Sequence, residues 1–141
     1  MKKVAVVYWS GTGNTEAMAS AVLEGAKAAG ADAEIFTSAE FDAAKASGYD
    51  SIAFGCPAMG AEVLEETEFE PMFEGVKGSL TGKKVALFGS YGWGDGEWMR
   101  SWEADCKASG IDLACDSVMS NDAPGDDEKA ACEALGKALA D

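Results

Sequence analysis

The feature that most constrains this chain is an alternation. Short apolar runs that read as buried strands are Lys3–Tyr8, Ala33–Thr37, Ser51–Gly55, Lys84–Ser90 and Leu113–Met119. Between them lie longer stretches with helical spacing. Ala17, Met18, Ala21, Val22, Gly25 and Ala29 share one helical face, and Phe69, Met72, Phe73 and Val76 make a shorter one with Pro71 in its first turn. Trp98, Trp102 and Cys106 fall at i, i+4 and i+8. Ala131, Leu135 and Leu139 repeat that spacing after a start marked by Pro124-Gly125-Asp126. The segment after Thr37 has the weakest pattern and reads as a short helix or loop. Alternating strand and helix imply parallel pairing with right-handed crossovers. The expected fold is therefore α/β, a three-layer open sandwich around a five-stranded parallel sheet. Such sheets bind ligands beyond the carboxyl ends of their strands, where strand order switches. That singles out three loops: Trp9–Thr15, Cys56–Glu66 and Tyr91–Gly96.

The totals narrow the function classes. A chain of 141 residues, 48% of them hydrophobic, is expected to form one domain over residues 1–141. Its apolar runs fall short of the roughly 18 to 20 residues that a membrane span needs. The N-terminal MKKVAVVYWSG has two lysines and an apolar run, but the run is short and no small-residue cleavage site follows, so a cytoplasmic protein is expected. With 11 basic and 25 acidic residues the net charge is −14, which disfavours nucleic acid and anionic membrane as partners and permits a partner with a basic face. Cys56, Cys106, Cys115 and Cys132 are widely separated and there is no histidine, so clustered soft metal ligands and histidine-based catalysis are both missing. The cysteines read mostly as small core hydrophobes.

The first loop, YWSGTGNTE at Tyr8–Glu16, is rich in hydroxyls and glycine and has no cation. Its glycines allow a tight turn into a helix whose first amides point outward unpaired. With the side chains of Ser10, Thr12, Asn14 and Thr15 they form an anion nest suited to a phosphate monoester. The lysine of the nucleotide P-loop and the third glycine of the dinucleotide fingerprint are both absent.

SGTGNT, GCPAMGAEVLEE and FGSYGWGDGEW, at these separations, resemble the loops of a short-chain flavodoxin of the clostridial kind, and the likeness covers essentially the whole chain. The resemblance implies a flavodoxin-like fold with strand order 2-1-3-4-5 and one non-covalent flavin mononucleotide (FMN). It also implies a low-potential one-electron carrier, not an enzyme, cycling mainly between the semiquinone and hydroquinone states. By resemblance, Ser10, Gly11, Thr12, Gly13, Asn14 and Thr15 hold the phosphate, joined by Ser90. Pro57, Ala58, Met59, Gly60, Ala61 and Glu62 form the middle loop: Met59 and Gly60 lie against one flavin face and Glu62 meets the pyrimidine N3–H. Trp93 stacks on the ring, with Tyr91 as second candidate. The amides of Gly92, Trp93 and Gly94 meet a pyrimidine oxygen, and Asn121 completes the set. The implied partners are redox proteins with basic docking faces, reductases and ferredoxin-accepting enzymes, met by a monomer.

Two positions depart from the family pattern. Pro57 stands where relatives often have a phosphate-touching serine, and Gly60-Ala61 where they commonly have Gly-Asp or Gly-Gly. A type II turn here would need φ > 0 at Ala61, roughly 1 kcal/mol worse than glycine. Weaker semiquinone stabilisation is therefore expected. An anionic reduced ring in a chain of net charge −14 is unfavourable, and about 1.36 kcal/mol of added cost lowers a one-electron potential by about 59 mV. Trp9, Trp98 and Trp102 are assigned to the core. The run Glu62, Glu65, Glu66, Glu68, Glu70 reads as a solvated face, with partner steering as its functional alternative. Of the rivals on this architecture, a phosphorelay receiver lacks its clustered aspartates and lysine. An FMN-dependent NAD(P)H:quinone-type reductase is the enzymatic alternative.

Overall fold

In the computed structural model, which describes residues 2–59, 63–92 and 94–141, strands β1 (Lys3–Tyr8), β2 (Asp32–Thr37), β3 (Ser51–Gly55) and β4 (Lys84–Tyr91) form a parallel sheet. The edge beyond β4 is made of two short pieces, β5 (Asp112–Leu113) and β6 (Val118–Asn121), both parallel to β4. The strand order is β2-β1-β3-β4-β5, with β6 also on β4. It is the 2-1-3-4-5 order expected from the resemblance.

Helices cover both faces. Helix α1 (Asn14–Ala28) and helix α5 (Asp126–Ala140) pack with Val4, Val6, Ala53, Ala86 and Phe88 on one side. On the other, α2 (Ala43–Ala46), α3 (Phe69–Val76) and α4 (Glu97–Ala108) cover Ala5, Val7, Ile52, Phe54, Val85 and Leu87. Successive strand residues thus feed opposite cores, as the two-residue period of a strand requires, and because both faces are covered the central strands β1, β3 and β4 read as largely apolar runs. The second core is aromatic: Phe54 meets Phe73 edge-on at 5.1 Å, and Phe69 meets Trp102 edge-on at 5.4 Å. The first is held by close helix approach. A Cβ on Gly25 would fall 2.0 Å from the Glu133 carbonyl oxygen, and one on Gly136 would fall 2.1 Å from that of Val22.

Two expectations are revised and one, the short helix or loop after Thr37, is borne out. The single last strand at Leu113–Met119 is broken. From Leu113 to Val118 the edge advances five residues while β4 advances three from Val85 to Phe88. The surplus, around Cys115-Asp116-Ser117, leaves the ladder as a bulge, and the Ser117 hydroxyl donates to Glu103 on α4 at 2.7 Å. The segment after Thr37 is a 3₁₀ turn (Ser38–Glu40) followed by the short α2, whose N-terminus is capped by Asp42.

The second revision concerns Glu65, which is not on a solvated face. It is 5% exposed, and its carboxylate accepts the amides of Thr67 (2.9 Å), Glu68 (2.7 Å) and Phe69 (2.8 Å) and the Thr67 hydroxyl. Burial alone raises its pKa, but these donors outweigh it and hold the group down at about 2. Glu66, Glu68 and Glu70 are exposed, as expected.

Among the described residues no helix is long and apolar enough to cross a membrane. Cys56, Cys106 and Cys132 are buried and Cys115 is half-buried; burial pushes the first three thiols up to about 12.

Candidate functional site

The order switches between β1 and β3, and the loops leaving β1, β3 and β4 converge there. Together they line a cleft of about 220 Å³ formed by Trp9, Gly11, Thr12, Asn14, Pro57, Ala58, Met59, Ser90, Tyr91, Gly92 and Asp122. Nine of these were named from sequence as cofactor contacts. Trp9 and Asp122 were not.

The first loop presents donors. Gly13, at φ +95°, precedes α1 and has no side chain to cap it; the first helical bond is from the Ala17 amide to the Gly13 carbonyl at 3.0 Å. Ser10 Oγ accepts the Gly13 amide at 3.0 Å, which folds the loop back on itself. Below it Thr15 and Ser90, 1% and 4% exposed, share a hydroxyl hydrogen bond of 2.8 Å that ties α1 to the end of β4. Among the described lining residues none is basic. Such an end can hold an anion with neutral donors and a helix dipole.

The other two loops are fastened to each other. The Ala58 amide donates to the Ser90 carbonyl at 3.0 Å. The indole of buried Trp98 donates to the Cys56 carbonyl at 3.1 Å, and its ring lies 5.4 Å from that of Tyr91. A Cβ on Gly89 would come within 2.2 Å of the Cys56 oxygen, so only glycine lets these backbones meet. Met59 and Val63 pair antiparallel, with N···O distances of 2.8 and 3.0 Å. Cys56 itself is fully buried, and its sulfur accepts the Glu65 amide at 3.3 Å. The thiol thus faces the α3 cap.

Not every named residue is gathered in. Ser10 and Gly13 border a neighbouring cavity across Trp9, of about 450 Å³, which also includes Tyr8, Glu16, Thr37, Ser38 and Glu68. That cavity is larger, but its two carboxylates repel an anionic ligand, so the smaller cleft is the better candidate for one. Gly94 (φ +87°) and Asn121 are exposed and outside the cleft lining; Asn121 pairs with Tyr91 across β4 and β6. Gly60, Ala61, Glu62 and Trp93 lie outside the described residues.

Trp9 departs from its assignment to the core. It packs on the aromatic core and remains half-exposed as the wall between the two cavities, 3.1 Å from the position of a Cβ on Gly11. Trp98 and Trp102 are buried as expected.

The cleft offers one end of hydroxyls and amides and one of Trp9, Pro57, Ala58, Met59 and Tyr91, so it suits a ligand with a phosphate at one end and a flat apolar ring at the other. A family model described as Flavodoxin matches residues 6–136. A flavodoxin of Megasphaera elsdenii is 45% identical over 137 residues, 97% of this chain and 98% of that one. One of Clostridium beijerinckii is 42% identical over 135 residues, 96% and 97% of the two chains. The solved structure of two-electron reduced M. elsdenii flavodoxin matches with a TM-score of 0.89 at 44% identity, covering 97% of this chain and 98% of that one. A flavodoxin from the domain Archaea gives 0.85 at 28% identity, over 98% and 96%.

Proposed function

Because this chain belongs to the flavodoxin family, electron-transfer proteins whose cofactor is FMN, we propose that it carries single electrons at low potential, mainly between the one-electron-reduced and fully reduced forms of its FMN. The bound cofactor supplies a ring that accepts electrons one at a time; the chain supplies everything that sets how willingly it does so. Ser10, Thr12, Asn14, Thr15 and Ser90 hold the phosphate through hydroxyls and the free amides of α1. Met59 and an aromatic, Trp93 or Tyr91, cover the ring, and Pro57 and Ala58 keep water from the edge between them. Glu62 and the amides of Gly92 and Gly94 orient the pyrimidine, with Asn121 nearby.

The observation that carries this reading is the cleft without a described cation in a chain of net charge −14. Negative charge on a bound ring would meet no counter-ion among the described lining residues, so the chain would disfavour full reduction and set a low potential. A carrier implies redox partner proteins. The same surface charge favours partners with basic faces, reductases and enzymes that also accept electrons from ferredoxins. We assign the working unit as a cytoplasmic monomer of one domain.

Titration of the apoprotein with FMN, followed by fluorescence quenching, is expected to show tight one-to-one uptake. Spectroelectrochemistry is then expected to resolve two one-electron steps, the second strongly negative. Weak uptake, or a single two-electron step at mild potential, overturns the proposal. Ala61 stands where glycine is easier, so Ala61→Gly is expected to raise the first-electron potential by up to roughly 40 mV, the equivalent of about 1 kcal/mol.

A further inference from the structure

Among the described lining residues of the cleft, Asp122 is the one with a charged side chain. Its backbone is left-handed at φ +59°, and it is the one non-glycine residue described with positive φ. Aspartate and asparagine tolerate that conformation better than most residues. The position is held from both sides: the Asp122 amide donates to the Tyr91 carbonyl at 2.8 Å, and its own carbonyl accepts the Ser120 hydroxyl at 3.1 Å. Its Oδ1 stands 3.6 Å from where a Cβ on Gly92 would lie, which puts the carboxylate over the third loop at the cleft wall. No ion pair among the described residues neutralises it.

We propose that Asp122 is an electrostatic tuning residue of the cofactor cleft: its carboxylate opposes the negative charge of bound FMN, most strongly when the ring is fully reduced. The inference rests on the reading of this cleft as the FMN site. A fixed charge at the wall acts without touching the ligand, and because Asp122 is exposed its field is weakened by water and salt. The residue thus trades cofactor affinity for a lower potential, and it does so at a strained backbone position, where functional residues concentrate.

The test uses Asp122→Asn and Asp122→Gly, both of which suit the left-handed backbone and remove the charge. Apoprotein of each would be titrated with FMN at low ionic strength and in high salt, and the loaded proteins reduced in a spectroelectrochemical cell. Both variants are expected to bind FMN about threefold more tightly at low ionic strength, with the gap narrowing in salt. The fully reduced cofactor is expected to gain a further factor of about three, which at about 59 mV per tenfold raises the second-electron potential by about 30 mV. Unchanged affinity and potential in both variants overturns the inference. A change in the asparagine variant alone also overturns it, because a new amide contact would then be the cause. If the wild-type chain takes up no FMN, the site reading fails and the inference with it; if it does and the variants match it, the inference alone fails.

Discussion

Two helix N-termini in this molecule solve the same electrostatic problem in opposite ways. Helix α3 begins under Glu65, a buried carboxylate that accepts three backbone amides and a hydroxyl. Helix α1 begins after Gly13, which has no side chain, and its first turn opens beside the candidate cleft. Each helix start carries unpaired donors and a positive dipole end. Where the chain provides its own anion, the end is sealed and structural. At α1 the first-turn acid, Glu16, accepts from the Tyr8 hydroxyl, no side chain caps the first amides and hydroxyls collect there, so that end can take an anion from outside. The contrast distinguishes a sealed cap from a candidate binding site by chemistry alone.

The largest expected effect lies at the sealed end. Glu65→Ala leaves several buried donors unpaired and is expected to cost about 3 kcal/mol of unfolding free energy in a denaturant titration. A loss near zero would mean that the cap contributes nothing. The same residue predicts a pH signature. Its folded pKa of about 2 lies below the ordinary 4.5, so its stabilisation is complete above pH about 4.5 and is lost as the pH falls toward 2. Of that, about 3 kcal/mol is at stake. The difference in stability between the wild type and Glu65→Gln should therefore shrink over this range, and a constant difference would break the assignment.

At the open end, Ser10→Asp makes α1 resemble α3 by supplying an internal anion. FMN affinity is expected to fall at least about tenfold, roughly 1.4 kcal/mol, while riboflavin, which lacks the phosphate, is little affected. Equal losses for both ligands would place the phosphate elsewhere. Thr15→Val removes one member of the Thr15–Ser90 pair and is expected to cost about 1 kcal/mol of stability, with a few-fold weaker FMN binding. A stability loss without any change in FMN binding would show that pair to be purely structural.

The architecture could be read from sequence because its cause is local. A buried parallel strand must be apolar on both faces, and Lys3–Tyr8, Ser51–Gly55 and Lys84–Ser90 announce themselves that way. The loops were readable for a related reason, since glycine and hydroxyl residues at a strand end are few and specific. What escaped depends on how the chain turns and docks around a residue, which residue type alone does not state. Glu65 looks like one more acid in an acidic run, and its burial follows from where α3 docks; the cue was Thr67 and the helix start at Phe69, both within four residues of it. Trp9 follows an apolar run and reads as its continuation, yet the chain turns at Ser10 and leaves the indole on the rim. The last strand breaks because polar Asp116 and Ser117 cannot continue a buried ladder, although Cys115 still packs against the core under α1 and α5. Asp122 lines the cleft instead of neighbouring Asn121 because a left-handed residue redirects the chain there, and one residue either way decides which side chain faces in.

The break in the edge strand has a consequence of parity. Five residues on the edge span three on β4, a surplus of two. An even surplus returns the pleat to its original phase, which is why Leu113 packs with one core and Ala114 and Val118 with the other on both sides of the interruption. Excising two residues from the bulge would therefore keep every later side chain on its own side of the sheet. Excising one would turn the segment from Val118 to Asn121 inside out and carry the turn at Asp122 away from the cleft.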